Sequence, residues 1–187
     1  MKQDSIARFI SHLETLGGIA PSSNPDRRAL AALRRSLATW PSAPAEAVRV
    51  VAPFLPEQAT GWREMVYYLI AGLFALHPCL SNMESGREPS LGQALHEAAL
   101  RDSAQGPERR LLALLGCKSE DLPNNLRHAV TYLRAREVAI DYRRLMRDLS
   151  WWDAGEGDVQ RRWGRGFWSG TLEENQQKPA EALVEEK

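Results

Sequence analysis

The chain has 187 residues, 43% of them hydrophobic, and a formal net charge of zero from 24 basic and 24 acidic side chains. That length suits one domain or two small ones with a real hydrophobic core, about 70% of the unfolded surface being buried at this size. Neutrality excludes a histone-like polycation, yet 20 of the 24 bases are arginine and five arginine doublets punctuate the sequence, so any field is local.

Nearly every periodic segment repeats with helical spacing and none sustains the alternation of a strand, so the expected fold is all-α, two small helical bundles of about nine helices. A first helix, about Asp4 to Leu16, places Ile6, Phe9, Ile10, Leu13 and Leu16 on one stripe and stops at Gly17-Gly18. Asn24 as N-cap and Pro25 as first helical residue start a second, burying Leu30, Leu33, Leu37 and Trp40. Pro41 and Pro44 end it, and a short helix from Ala45 to Phe54 follows, closed by Pro53 and Pro56. Thr60 to Leu76 is the most apolar helix and the expected centre of the first core. Its apolar run, Met65 to Leu76, is shorter than the ~20 residues that span a bilayer, and polar Gln3 and Asp4 stand where a signal peptide would be hydrophobic. A cytoplasmic protein with no membrane partner is expected.

Residues 77–89 lack any period and mark the boundary between an N-terminal bundle, 1–86, and a C-terminal bundle, 87–170. Ser90 caps a helix bearing Leu91, Ala94, Leu95 and Ala98. Gly106-Pro107 starts another with Leu111, Leu112, Leu114 and Leu115, and Ser119 opens a third through Leu122, Leu126, Val130 and Leu133. A fourth from Asp141 aligns Leu145, Leu149 and Trp152, and a last from about Asp158 presents Val159, Trp163 and Phe167. Residues 171–187 hold five acids against two lysines and read as a disordered acidic tail, leaving 22 bases and 19 acids in the folded body.

On the second helix Arg27, Arg28, Arg34 and Arg35 flank the face opposite the leucines, at a spacing that suits phosphates and also an ordinary solvated surface. Arg109 and Arg110 sit at a helix start, against the dipole, where an anion or an ion pair with Glu108 would each account for them; Arg63 has a similar position. Arg143, Arg144 and Arg147 read as surface pairs with Asp141 and Asp148. Arg161 and Arg162 precede Trp163, Arg165, Phe167 and Trp168, a mixture of bases and aromatics. The four histidines are scattered, Cys79 and Cys117 lack CxxC partners, and no Walker loop, GxSxG or GxGxxG is present. His77-Pro78-Cys79 is the nearest approach to a reactive cluster. The residues give no warrant for catalysis, a metal or any other cofactor.

Three stretches read together: SLGQAL at Ser90 to Leu95, PERRLLALL at Pro107 to Leu115, and RRLMRDLSWW at Arg143 to Trp152. In that order and spacing, with ALRR at Ala32 to Arg35, they resemble the small subunit of the type I-E CRISPR surveillance complex, the CasB family of Cascade. The resemblance runs from about Arg8 to Phe167. It implies a non-catalytic helical subunit, present in two copies, that meets the other Cascade subunits, the crRNA, and the target and displaced strands of the R-loop. It carries roles in nucleic-acid binding to Arg34 and Arg35, to Arg63, to Arg109, Arg110 and Arg127, and to Lys118, close to the family's base in the loop before Arg127. The family's basic cluster after the Trp pair is replaced here by Asp153, Glu156 and Asp158, and Arg161 and Arg162 are the expected substitutes. A helical adaptor that binds only protein is the alternative.

Overall fold

The computed structural model describes residues 3–39, 42–79, 89–101, 105–153 and 156–181, with side chains from Asp4 to Ser169. Among the described residues there are nine α-helices, one 3-10 turn and no strand. Trp40, the core of the expected boundary segment at 80–88, and residues 182–187 lie outside the described residues.

Helix α1 (Gln3–Leu16) buries Ile6, Phe9, Ile10 and Leu13. It ends as its glycines predict: Gly18 takes φ 69°, and the Ile19 N–H turns back to the Glu14 carbonyl at 3.1 Å. Helix α2 (Arg27–Thr39) starts later than the Asn24-Pro25 signal implies. The cap is Asp26, whose Oδ1 accepts the Ala29 N–H at 2.9 Å, while its own N–H reaches the Leu16 carbonyl at 2.9 Å and fixes the chain at the helix entry. Asp and Asn cap equally well, so the turn decides between them.

Helix α3 (Ala45–Val51) continues into a 3-10 turn, Ala52–Phe54. Helix α4 (Trp62–Leu76) is buried without interruption from Val66 to Ala75. A helix apolar all round must be covered all round, and α1, α2 and α3 pack on it from the first half, α7 and α8 from the second. The last turn of α4 is also tied to the segment before α8. His77 Nε2 donates to the Val138 carbonyl at 2.8 Å, and the Tyr142 hydroxyl lies 3.1 and 2.9 Å from the Leu73 and His77 carbonyls. The core residues of the two halves belong to one cluster.

Helix α5 (Leu91–Leu100) opens on a full capping box: Ser90 Oγ accepts the Gln93 N–H and Gln93 Oε1 accepts the Ser90 N–H. Helices α6 (Gln105–Leu115) and α7 (Leu122–Arg134) follow, α7 starting three residues after Ser119, and α6 leaves Leu112 exposed rather than buried. Asp141 caps α8 (Tyr142–Ser150), and α9 (Asp158–Glu181) crosses α5 so closely that a Cβ on Gly92 would stand 1.9 Å from the Trp163 carbonyl oxygen. The Ser90-Leu91-Gly92 signature is thus a cap followed by a helix crossing. The α9 backbone runs on to Glu181, past the Gly170 edge of the expected tail, through a stretch that holds two Glu and two Gln, both good helix formers, before Glu181.

Candidate nucleic-acid interface

Neighbouring residues on a helix point 100° apart, so in a doublet one guanidinium can turn to another element while its neighbour faces away. The doublets of α2 divide in this way. Arg28 Nη2 meets Glu46 Oε1 of α3 at 2.8 Å, a partner the acids of α2 alone do not reveal; the hydrogen bond lowers the Glu46 pKa, with help from the charges of Arg28 and Arg35. Arg34 Nε donates to the Ala75 carbonyl at 2.7 Å. The last carbonyls of a helix have no partner within it, so Arg34 serves as a cap for α4 supplied from α2. Arg27 and Arg35 are exposed, and among the described residues neither makes a side-chain hydrogen bond or ion pair.

The α6–α7 corner repeats the division. Arg110 Nη1 returns to the Gly106 carbonyl at 2.9 Å and its guanidinium lies 4.1 Å over the Tyr132 ring, whose other cationic neighbour is Arg136 at 3.5 Å. A cation against an aromatic face contributes about 0.5–2 kcal/mol, more as water is excluded. Glu108 does not pair with the doublet; its Oε1 accepts from Trp168 Nε1 at 3.3 Å. The doublet also lies beyond the first turn, because α6 begins at Gln105. Arg109 and Arg127 are exposed without a side-chain partner among the described residues. Lys118 is exposed in the α6–α7 turn, where its carbonyl accepts from the Asp121 and Leu122 N–H groups.

Around α8 and α9 both members of each doublet are engaged. Arg143 approaches Glu14 of α1 at 3.8 Å, and Asp141 is occupied as the cap of α8. Asp148, expected at the surface, is buried. Its Oδ2 accepts from Trp163 Nε1 at 2.7 Å, its Oδ1 from Arg162 Nη2 at 3.0 Å, and Arg144 Nε lies 3.4 Å from Oδ1. Arg161 is held by Asp158 and by the Glu156 carbonyl at 2.9 Å.

The Trp pair separates: Trp152 is buried with its ring 5.1 Å from that of Trp163, whereas Trp151 is 61% exposed. Trp151 lines two clefts of about 400 and 430 Å³, the first together with Arg144, Arg147, Asp148 and Arg162, the second with Trp62, Arg63 and Asp153. The structure therefore brings Arg63 and Arg162, 99 positions apart in the chain, into two clefts that share one exposed ring. Arg34 and Arg35 belong to another helix, and Arg109, Arg110, Lys118 and Arg127 to the α6–α7 corner. Sequence reasoning missed Trp151, Arg144 and Arg147. One signal was available: two consecutive tryptophans after an amphipathic helix cannot both enter the same core.

Cys79 accepts the Ile140 N–H at 3.3 Å, and burial pushes its thiol up to about 11, opposite to the activation a nucleophile needs. His77 is lowered by burial and committed to Val138. Among the described residues no three His, Cys, Asp or Glu side chains gather around a metal position, and no helix is long and apolar enough to cross a membrane.

Comparison with known proteins adds a family to this geometry. Residues 29–168 match the model of the CRISPR-associated protein Cse2 family. A protein described as CRISPR-associated protein Cse2 from Thermus thermophilus is 36% identical over 179 residues, covering 94% of this chain and 97% of its own. The crystal structure of CasB from M. ruber superposes with a TM-score of 0.74 at 26% identity, over 94% of this chain and 98% of that one. A chain of a CRISPR RNA-guided surveillance complex gives 0.76 at 27% identity, over 94% and 98%.

Proposed function

The chain belongs to the CRISPR-associated Cse2 family, and from that premise we propose that it is the non-catalytic small subunit of a type I-E surveillance complex. In this reading it supports assembly with the other Cascade subunits and a second copy of itself. Its basic surface contacts the backbone of the crRNA and target strand and steadies the displaced strand of the R-loop. Base pairing with a guide reads sequence, so such a subunit needs phosphate contacts and no base-reading motif.

The observation that carries the proposal is the set of exposed bases whose side chains make no hydrogen bond or ion pair among the described residues: Arg35, Arg63, Arg109, Lys118 and Arg127. Holding long charged side chains on a surface brings little stability by itself, which favours a partner outside the chain. Arg34, Arg110, Arg161 and Arg162 have structural bonds already and are proposed as secondary contacts through the donors those bonds leave. The bundles 1–86 and 87–170 would act together, since nucleic-acid contacts fall on both.

Titration of single-stranded DNA with the full-length chain at rising salt tests the reading. Affinity should fall with a log–log slope of about 0.7 per phosphate engaged, and replacing Arg35, Arg109 and Arg127 by Ala should reduce that slope by about 2. No binding at low salt would overturn it in favour of a protein-only adaptor, for which exposed Leu100 and Leu112 offer apolar contacts.

A further inference from the structure

Trp151 stands out on chemical grounds. A tryptophan gains more from burial than almost any other side chain, yet Trp151 is 61% exposed while Trp152 fills the core beside it. Its position is fixed by its surroundings. Trp151 is the C-cap residue of α8, its N–H returning to the Asp148 carbonyl at 3.1 Å, and Trp152 packs on Trp163. The neighbouring wall is equally fixed, since Trp62 Nε1 donates to the Leu149 carbonyl at 2.8 Å. The ring therefore projects from a helix end held by backbone bonds and flanked by a packed core, not from a long loop.

The cleft on one side of the ring is cationic. Arg144, Arg147 and Arg162 line it with a single carboxylate, Asp148, which is 3% exposed. Asp148 engages one nitrogen of Arg144 and one of Arg162; an arginine fork has five N–H donors, so each keeps others. Two forks on one buried carboxylate already leave an excess of positive charge, an arrangement for a further anion; Arg147, which lines the same cleft, donates its Nε to the Arg143 carbonyl at 3.4 Å. The second cleft adds Arg63 beside Trp62, with Asp153 also on its lining. Both volumes fall in the range of small-ligand sites, about 300–1,000 Å³. A flat aromatic face next to an anion cleft matches one ligand chemistry: an unpaired nucleotide, base on the ring and phosphate among the guanidiniums.

We propose that Trp151 is a stacking platform for one unpaired base of a single strand, whose adjoining phosphate occupies the cleft of Arg144, Arg147 and Arg162. The inference rests on the nucleic-acid reading above and deepens it, from backbone contact to capture of a flipped-out or single-stranded nucleotide. It assigns a binding role to the side of the molecule where the arginine doublets are otherwise tied to acids.

The test uses the full-length chain, a short oligothymidylate, and a strand of the same length and charge lacking bases. Stacking of one base contributes about 1–3 kcal/mol, so the wild type should prefer the base-bearing strand by roughly 5- to 150-fold. Trp151→Ala should remove the preference and leave the affinity for the abasic strand unchanged. Trp151→Phe should restore part of it, and Arg147→Gln should weaken both strands alike. An unchanged thermal melt of Trp151→Ala would confirm that the fold is intact, as its exposure predicts. Equal affinity of the wild type for the two strands, or an undiminished preference in Trp151→Ala, would overturn the stacking proposal while leaving backbone binding in place. Failure to bind either strand would overturn the nucleic-acid reading itself, and the platform with it.

Discussion

The α6–α7 corner and the α8–α9 cleft both concentrate arginine, and they use it in different ways. At the corner Arg110 lies on Tyr132 and bonds its own helix, while Arg109 and Arg127 face outward without a partner among the described residues. In the cleft Arg144 and Arg162 converge on buried Asp148, and the exposed feature is an aromatic ring, Trp151. One region offers detached charges to a passing backbone; the other offers a built recess. Arginine content alone does not distinguish them. What does is whether a carboxylate is buried nearby and how many elements crowd the guanidinium.

The largest expected effect breaks the cleft. Asp148→Ala removes the acceptor of Trp163 and the partner of two guanidiniums, and should cost about 1–3 kcal/mol in urea unfolding, chiefly because the buried Trp163 N–H loses its acceptor while the two arginines stay partly solvated. A loss below about 1 kcal/mol would mean that those groups are well solvated and that the cleft is not organised by Asp148. At the corner, Arg110→Ala should cost about 1–2 kcal/mol through the lost ring contact and hydrogen bond. Arg110→Lys should not rescue it, because an ammonium group cannot stack flat on Tyr132.

A gentler perturbation acts on the joint between the halves. Burial lowers the His77 pKa below its ordinary 6.5, the ring being neutral when it donates to Val138. The unfolded chain then binds more protons as pH falls below about 6.5, so this contribution is fully present above that value and is lost on acidification. His77→Gln should flatten the decline of the melting temperature between pH 7 and pH 5. Part of the decline should survive, because His12 is also lowered by burial, while Glu14, raised by burial against the pull of Arg143, acts in the opposite sense above about 4.5. The smallest stability effects belong to Arg109→Ala and Arg127→Ala, each within about 0.5 kcal/mol. Each should nonetheless lower the salt slope of single-strand binding by about 0.7. A stability loss without a change in slope would move these residues into the structural group.

The helices were legible in the sequence because their apolar spacing and punctuation agree: Gly17-Gly18 ends α1, Ser90 with Gln93 opens α5 and Asp141 opens α8. Asp26 was missed because Asn24-Pro25 is as good a local start, and only the bond of Asp26 to Leu16 selects between them. The basic positions were legible as residues but not as surfaces. That Arg34 caps α4 depends on Ala75, 41 positions away, and that Arg162 shares Asp148 with Arg144 depends on how α9 crosses α8. The role of Trp151 was hidden for the same reason, since its neighbours come from α4, α8 and α9.

Arg34 should accordingly be spared in any variant that tests strand binding, because its loss also uncaps α4. The most direct measurement is R-loop lifetime on native gels for a complex reconstituted with Arg35→Ala/Arg109→Ala/Arg127→Ala in place of the wild-type chain. The account predicts full assembly and a shortened lifetime, with the defect growing as salt rises. Full assembly with an unchanged lifetime would contradict the claim that these exposed arginines hold a nucleic-acid strand.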